Sequence, residues 1–310
     1  MERNALADLG VIILTHNEEL HIERALRCLA PIARHVVVID SYSSDRTVEL
    51  ARAAGAEVLQ NPWVNYAKQF QWGLEHAGLD TAWIMRLDAD EVIEPDLVDE
   101  IKRRLPALPA EVTGVVLNRK HAFMGRFISH GGRHPLYLLR LWRAGAAHIE
   151  QRWMDEHMIL DYGRSVVFEG GFADVNMNDL TFFTDKHNKY ATREAVDVLN
   201  EKYAFMNVSA EILGETSSNQ AKIKRFVKTK IYNQLGIVVG PIGYFLYRMV
   251  IQLGVLDGVE GLIYHVLQGF WYRFLVAAKV AELEGAIKTM TDRHMIIDEL
   301  ERRTHLQLRS

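Results

Sequence analysis

The chain has a single cysteine, Cys28, in 310 residues. An intrachain disulfide and a cysteine-based zinc site are therefore excluded. Two phosphate-binding signatures are missing as well. No GxGxxG follows the first apolar run, and no GxxxxGK[ST] occurs anywhere, which disfavours dinucleotide folds and P-loops. There is no excess of positive charge: the net charge is −4, which argues against a general nucleic-acid binder. The opening MERNALADLG lacks the basic and apolar regions of a secretory signal, so a reducing, cytoplasmic setting is the expectation. Internal repeats and low-complexity tracts are absent. With 49% hydrophobic residues, the chain can still bury a large core.

What is present is an alternation of two periods. Leu9 to Leu14 (LGVIIL), His35 to Ile39 (HVVVI), Ala56 to Leu59 and Ala82 to Leu87 read as buried strands. Between them, Glu18 to Leu29, Asp45 to Ala54 and Asn65 to Ala77 carry helical spacing, with Gly55 placed to cap the second. The order predicts an α/β domain with a mostly parallel, Rossmann-like sheet. Ligands of open α/β sheets bind beyond the carboxyl ends of the strands. Three polar clusters fall at such ends: Thr15 to Glu18, Asp40, and Asp88 with Asp90 in MRLDADE. Residues i and i+2 at a strand end point to one side, so Asp88 and Asp90 can address one hard cation, Mg or Mn, that also holds substrate phosphates.

Further along, Pro95 to Leu105 reads as a helix, and Thr113 to Phe123 and Tyr137 to Trp142 as strands. Arg133, Arg140 and Arg143 are candidate diphosphate contacts, with Arg140 preferred. WMDEH, Trp153 to His157, offers a carboxylate base in Asp155 or Glu156 and an apolar platform in Trp153. FFTDKHNKY, Phe182 to Tyr190, includes His187 as a metal or phosphate ligand and is expected to close over the donor diphosphate, with a helix-entry loop as the plainer reading. The domain boundary is set at 215/216, in a polar turn-prone stretch. A basic amphipathic helix, Lys222 to Lys230, follows it, and then an interrupted apolar stretch from Gly236 to Leu256. A bilayer-spanning helix wants about 20 apolar residues, so broken helices lying on a membrane or packed in a homo-oligomer are expected instead. Asp257 to Gly261 reads as a turn, Leu262 to Leu283 as an aromatic-rich helix, and Met290 onward as a charged helix.

VIILTHNEE, VVVIDSYSSDRT, NYAKQFQWGLEHA and LDADE, in this order and spacing, resemble a family 2 glycosyltransferase. The resemblance runs over roughly residues 9 to 200 and is greatest to bacterial enzymes that extend lipopolysaccharide core or lipid-linked surface polysaccharide. It implies a GT-A catalytic domain followed by an α-helical C-terminal region, a nucleotide-diphospho-sugar donor, Mn or Mg, and inversion at the anomeric carbon. It implies roles in turn. Thr15 and Glu18 contact the nucleoside, Asp40 accepts from the base, Lys68 lies near the nucleotide, Asp88 faces ribose and diphosphate, and Asp90 binds the metal. The second acid of the WMDEH pair, Glu156, is favoured as base. The acceptor expected is a lipid-linked saccharide or lipopolysaccharide core at the inner face of the inner membrane. A polyprenyl-phosphate glycosyltransferase and a non-catalytic scaffold of a polysaccharide-assembly complex are the rival readings.

Overall fold

The computed structural model describes residues 7–150, 156–206 and 236–308. They fall in two compact units. One holds the residues up to Ser129 and Arg133–Asn178; the other holds His130–Gly132 and the residues from Asp179 onward. The boundary expected at 215/216 lies outside the described residues.

The first unit is built on β1 (Leu9–Thr15), β2 (His35–Asp40), β3 (Glu57–Gln60), β4 (Trp83–Arg86), β5 (Glu91–Ile93), β6 (Val112–Phe123), β7 (Arg126–Phe127), β8 (Tyr137–Arg143) and β11 (Arg164–Val175). They form one sheet in the order β3-β2-β1-β4-β8-β6-β11-β5, with β7 beside β6. The half from β3 to β4 is parallel, β8 runs antiparallel to both β4 and β6, and β11 returns parallel to β6. A short antiparallel pair, β9 (Ala147–Ile149) and β10 (Met158–Leu160), stands apart. This is the α/β, Rossmann-like arrangement expected of a GT-A domain.

Alternation along β1 explains why the sheet is covered on both faces. Leu9, Val11 and Ile13 pack with α1 (Ile22–Leu29) and α4 (Pro95–Arg104), whereas Ile12 packs with Phe70 of α3 (Tyr66–His76). All of these strand residues are fully buried, as period-2 side chains on a two-sided sheet must be. Close approach sets two glycines: a Cβ at Gly73 of α3 would stand 2.9 Å from Ile39, and one at Gly170 of β11 would stand 2.4 Å from the Leu97 backbone of α4. After α2 (Thr47–Ala53), Gly55 adopts φ +86°, the left-handed turn that a side chain resists.

The second unit begins with α5 (Leu180–Tyr203), started by the Asp179 side chain accepting from Phe182 N. The FFTDKHNKY segment is therefore helical, neither an entry loop nor a flap, because Asp179 caps it at once and the helix runs on for 24 residues. α5 packs on α8 (Tyr272–Ile287): Glu194 accepts from Tyr272 Oη at 2.6 Å and from Arg273 Nη1 at 2.9 Å. The apolar stretch is broken as expected, into α6 (Gly236–Leu246), a π-helical turn Tyr247–Ile251 and a 3₁₀ turn Gly254–Asp257. The turn expected at Asp257 to Gly261 is instead the start of α7 (Gly258–Tyr264), where Gly261 lies so close to Asp257 that a Cβ would come within 2.2 Å. A final helix, α9 (Arg293–Thr304), carries the charged end. The basic stretch at 222–230 lies outside the described residues.

α3 presents Tyr66 to the site and depends on a local device. Asn65 accepts from Lys68 N at 2.8 Å as N-cap. Replacing an Asn cap by Ala removes that acceptor. Asn65→Ala is expected to lower stability by about 1 kcal/mol in urea unfolding, and an unchanged midpoint would show that the cap does not matter.

Candidate functional site

The loops after β1 and β2 are stitched together at the carboxyl edge of the sheet. Thr15 Oγ1 donates to Asp40 Oδ1 at 3.0 Å, Asn17 N to Ser43 Oγ at 2.9 Å, Glu18 N to Thr47 Oγ1 at 2.7 Å and Glu19 N to Asp45 Oδ2 at 3.1 Å. Asp40 is wholly buried. Its carboxylate accepts from Thr15, from Ser43 N and Oγ, and from Gln60 Nε2. Four donors fill the lone pairs of a carboxylate, so Asp40 organises the loops, and any further donor must displace one of them to reach it. Two non-glycine residues here take left-handed backbone, Asn17 at φ +57° and Tyr42 at φ +55°. Such conformations cost energy and gather at functional loops. Tyr42, passed over in the sequence, is 57% exposed.

Glu18 is engaged with a buried imidazole. Met177 N donates to His21 Nε2 at 2.9 Å, so the ring proton sits on Nδ1 and is donated to Glu18 Oε2 at 2.6 Å. Lys68 is exposed in the first turn of α3.

The DxD segment leaves β4 into a cluster of buried charge. Arg140 Nη2 is 2.6 Å from Glu91 Oε1 and 3.4 Å from Asp88 Oδ2. Arg119 Nη1 lies 3.4 Å from Glu91 Oε1, and Arg86 Nε lies 3.7 Å from Asp88 Oδ1. Tyr66 donates its hydroxyl to Asp88 Oδ1, and the Arg86 guanidinium stacks 4.2 Å above the Tyr66 ring. Register extends the cluster: Glu91 pairs with Asp174 across β5–β11, and Asp174 with His121 across β11–β6. His121 Nδ1 and Asp174 Oδ2 are 3.0 Å apart.

Burial alone would raise the Asp88 carboxyl, but Arg86, Arg140 and the Tyr66 hydroxyl hold it well below the usual carboxylate range. Burial pushes the neighbouring Glu91 up to about 7 against the pull of Arg140, with Asp88 adding to the rise. Several guanidinium nitrogens are buried with no hydrogen-bond acceptor among the described residues: Nε of Arg86, Nε of Arg119, and both Nε and Nη1 of Arg140. An unmet buried donor costs about 1–3 kcal/mol, and an anion or water at the site relieves that cost.

Asp90 is half-buried, and its Oδ2 accepts from Asn176 Nδ2 at 3.0 Å. The Asp90 carbonyl is held by Arg24 and Val175 N. Glu156 is half-buried, and its carbonyl accepts from Arg86 Nη1 at 3.4 Å. Trp153 and Asp155 lie outside the described residues. His187 is in α5 of the second unit, stacked 3.9 Å from Phe183 and edge-on to Tyr272. Arg143 is structural: it donates to the carbonyls of Leu108, Pro109 and Val112 and stacks on Trp83.

Thr15, Asp40, Asp88, Asp90 and Arg140 thus converge within the first unit, and Tyr66, Arg86, Glu91 and Arg119 join them. Arg86 and Glu91 stood inside MRLDADE, so charge density around the DxD was the available signal. The family model for glycosyl transferase family 2 matches residues 10–171, slightly over half of the chain. The chain belongs to that family. Among curated relatives, it is similar to uncharacterized glycosyltransferases of Rickettsia bellii (strain RML369-C), 39% identical over 94 residues, and of Rickettsia typhi (strain ATCC VR-144 / Wilmington), 36% over 94 residues. Each match covers 30% of this chain and spans about a third of the relative's length, 31% and 32%. Among solved structures, a glucosyl-3-phosphoglycerate synthase from Mycobacterium tuberculosis with Mn2+, UDP and glucosyl-3-phosphoglycerate aligns at TM-score 0.31 and 21% identity. That alignment covers 37% of this chain and 44% of the other, too slight a likeness to carry an argument.

Asp174 offers a direct test of the cluster. Burial raises its carboxyl, but His121 and the guanidiniums of Arg119 and Arg133 hold it well below the usual range. The unfolded chain then binds more protons below about pH 4, so Asp174 contributes stability above that pH and loses it as pH falls. Asp174→Asn is expected to cost about 3 kcal/mol at pH 7 and to flatten the acid limb of stability against pH. Unfolding curves between pH 2 and 7 check both.

Proposed function

We propose that this family 2 member transfers a sugar from a nucleotide-diphospho-sugar to a hydroxyl of a lipid-linked saccharide or lipopolysaccharide core, with inversion. The carrying observation is the convergence of the β1, β2 and β4 ends on buried guanidiniums whose remaining N–H groups have no acceptor among the described residues. A diphosphate answers such donors with charged oxygens, which bind a guanidinium more strongly than neutral acceptors do.

In this reading the stitched loops around Asp40 shape the nucleoside site, with Thr15 and Glu18 at its floor and the exposed Tyr42 ring as a stacking surface. Lys68 approaches the nucleotide from α3. Asp88, already neutralised by Arg86, Arg140 and Tyr66, faces ribose and diphosphate. Arg140 bears on the diphosphate through its remaining N–H groups.

The donor set fits a hard divalent cation, Mn or Mg. Among the described residues no three His, Cys, Asp or Glu side chains are grouped so as to hold a metal ion by themselves, but such ions accept one or two carboxylates plus substrate phosphates. Asp90 and Asp88 are the protein ligands, Asp88 also sharing its oxygens with guanidiniums. When bound, the cation supplies charge stabilisation for the leaving diphosphate. Glu156, tethered through its carbonyl to Arg86, takes the acceptor proton as the hydroxyl attacks, with Asp155 the adjacent alternative and Trp153 the platform for the acceptor sugar. The enzyme works at the cytoplasmic face of the inner membrane, where such an acceptor presents its sugar.

Two measurements test this reading. A ligand that binds only the folded form raises apparent stability, so one of UDP-, GDP- or dTDP-sugar is expected to raise Tm with Mn and not without it. Asp90→Ala abolishes that shift; no shift with any donor overturns the reading. Glu156→Gln keeps the donor shift while kcat falls about 10²–10⁴-fold, the usual worth of a placed base. Retained turnover in that variant moves the role to Asp155.

A further inference from the structure

The second unit is turned inside out between Ile237 and Val259. Its charged residues there are the buried ones: Arg248 is 1% exposed and Asp257 3%. Arg248 donates to Gly131 O at 2.8 Å and to Gln268 Oε1 at 2.9 Å, and Asp257 accepts from His130 N and Nδ1 at 3.0 and 2.7 Å. The large aliphatic side chains face outward instead. Val239, Val250, Ile251, Val255, Leu256 and Val259 are each more than half exposed. An apolar surface of this extent marks an interaction site.

Three features choose its occupant. The exposed side chains are chiefly Val, Ile and Leu, whereas protein interfaces are enriched in Tyr, Trp, Met and Arg. No single helix is long and apolar enough to cross a membrane; the pair Ile237–Ile251 and Gly254–Ile287 passes only jointly and bends by 74° at the break. A bent, one-sided element of this kind suits one leaflet and not a span. At the bend the Gln252 carbonyl accepts from Gly131 N at 2.9 Å, pairing irregular backbone within the protein as non-helical backbone at membrane depth requires. Finally, the sequence just before this region carries Lys222, Lys224, Arg225, Lys228 and Lys230 and no acid from 222 to 230, a charge complement to anionic headgroups.

We infer that the bent pair from α6 to α7 inserts its aliphatic face into a single leaflet of an anionic phospholipid bilayer, as a monotopic anchor. The inference rests on the reading of a lipid-linked acceptor, yet vesicle binding and donor binding are measured separately, so either can fail alone.

The test is flotation of the full chain with vesicles of phosphatidylcholine alone and of phosphatidylcholine with phosphatidylglycerol. The wild type is expected to float with the anionic vesicles and to stay partly bound at about 0.5 M salt, where surface charge is largely screened. The variant Val239→Asp/Val250→Asp/Ile251→Asp changes only exposed positions. It is expected to lose at least about 100-fold in vesicle partitioning, since carboxylates resist entry into hydrocarbon, while keeping the wild-type donor shift in Tm. Equal flotation of this variant and the wild type overturns the inference, as does a wild type that floats with neither vesicle. A wild type that does not float but sediments as a dimer, made monomeric by the same variant, assigns the face to a second copy and also overturns it.

Discussion

The charge cluster at the carboxyl edge of the sheet depends on keeping two neighbouring acids, Asp88 and Glu91, beside three guanidiniums. An isolated buried carboxylate is too costly to keep ionised, and a buried guanidinium equally so. Here each pays for the other. Arg140 reaches both acids, Arg119 bridges Glu91 to Asp174, and Arg86 joins Asp88 to the Glu156 backbone. The sheet makes this possible: β8, inserted antiparallel between β4 and β6, delivers Arg140 across the sheet to the end of the parallel half. If β8 followed the parallel pattern, its direction would reverse and the ladder that positions Arg140 would be lost.

The same cluster gives the two DxD aspartates different neighbours. Asp88 meets a hydroxyl and two guanidiniums, so its charge is largely spent within the protein. Asp90 meets an amide and supplies its carbonyl to Arg24. The asymmetry follows from neighbours brought in by β8, β6 and β11, not from the motif itself.

How much of this was legible depended on sequence distance. The strands of the parallel half, the Asn65 start of α3 and the DxD position follow from local period and turn chemistry, and each falls within a residue or two of its place. The glycosyltransferase resemblance lay in four short segments of that same half. Tyr66 and Arg119 were not legible as site residues, because their roles arise from contacts that sequence spacing does not encode. Asp174 reaches Glu91 only through the register of β11 with β5, 83 residues away, and β11 itself carries a register shift before Gly171. The helix through Phe182 to Tyr190 was hidden by its mixture of aromatics and charges, which carries no clear apolar stripe; its cap at Asp179 was the local cue.

The C-terminal stretch shows why composition alone left membrane and oligomer open there. Gly240, Pro241, Gly243, Arg248 and Gln252 interrupt an apolar run, and interruptions have opposite meanings according to where they point. An outward Arg248 would have marked a solvated helix with a core face beneath it. The structure turns Arg248 inward onto Gly131 and Gln268, and leaves the aliphatic residues on either side exposed. Burying a guanidinium while exposing valine and isoleucine is the reverse of what water favours. That inversion is stable where the outside is hydrocarbon, because the aliphatic face then gains and the buried charge is no worse off than in any protein interior.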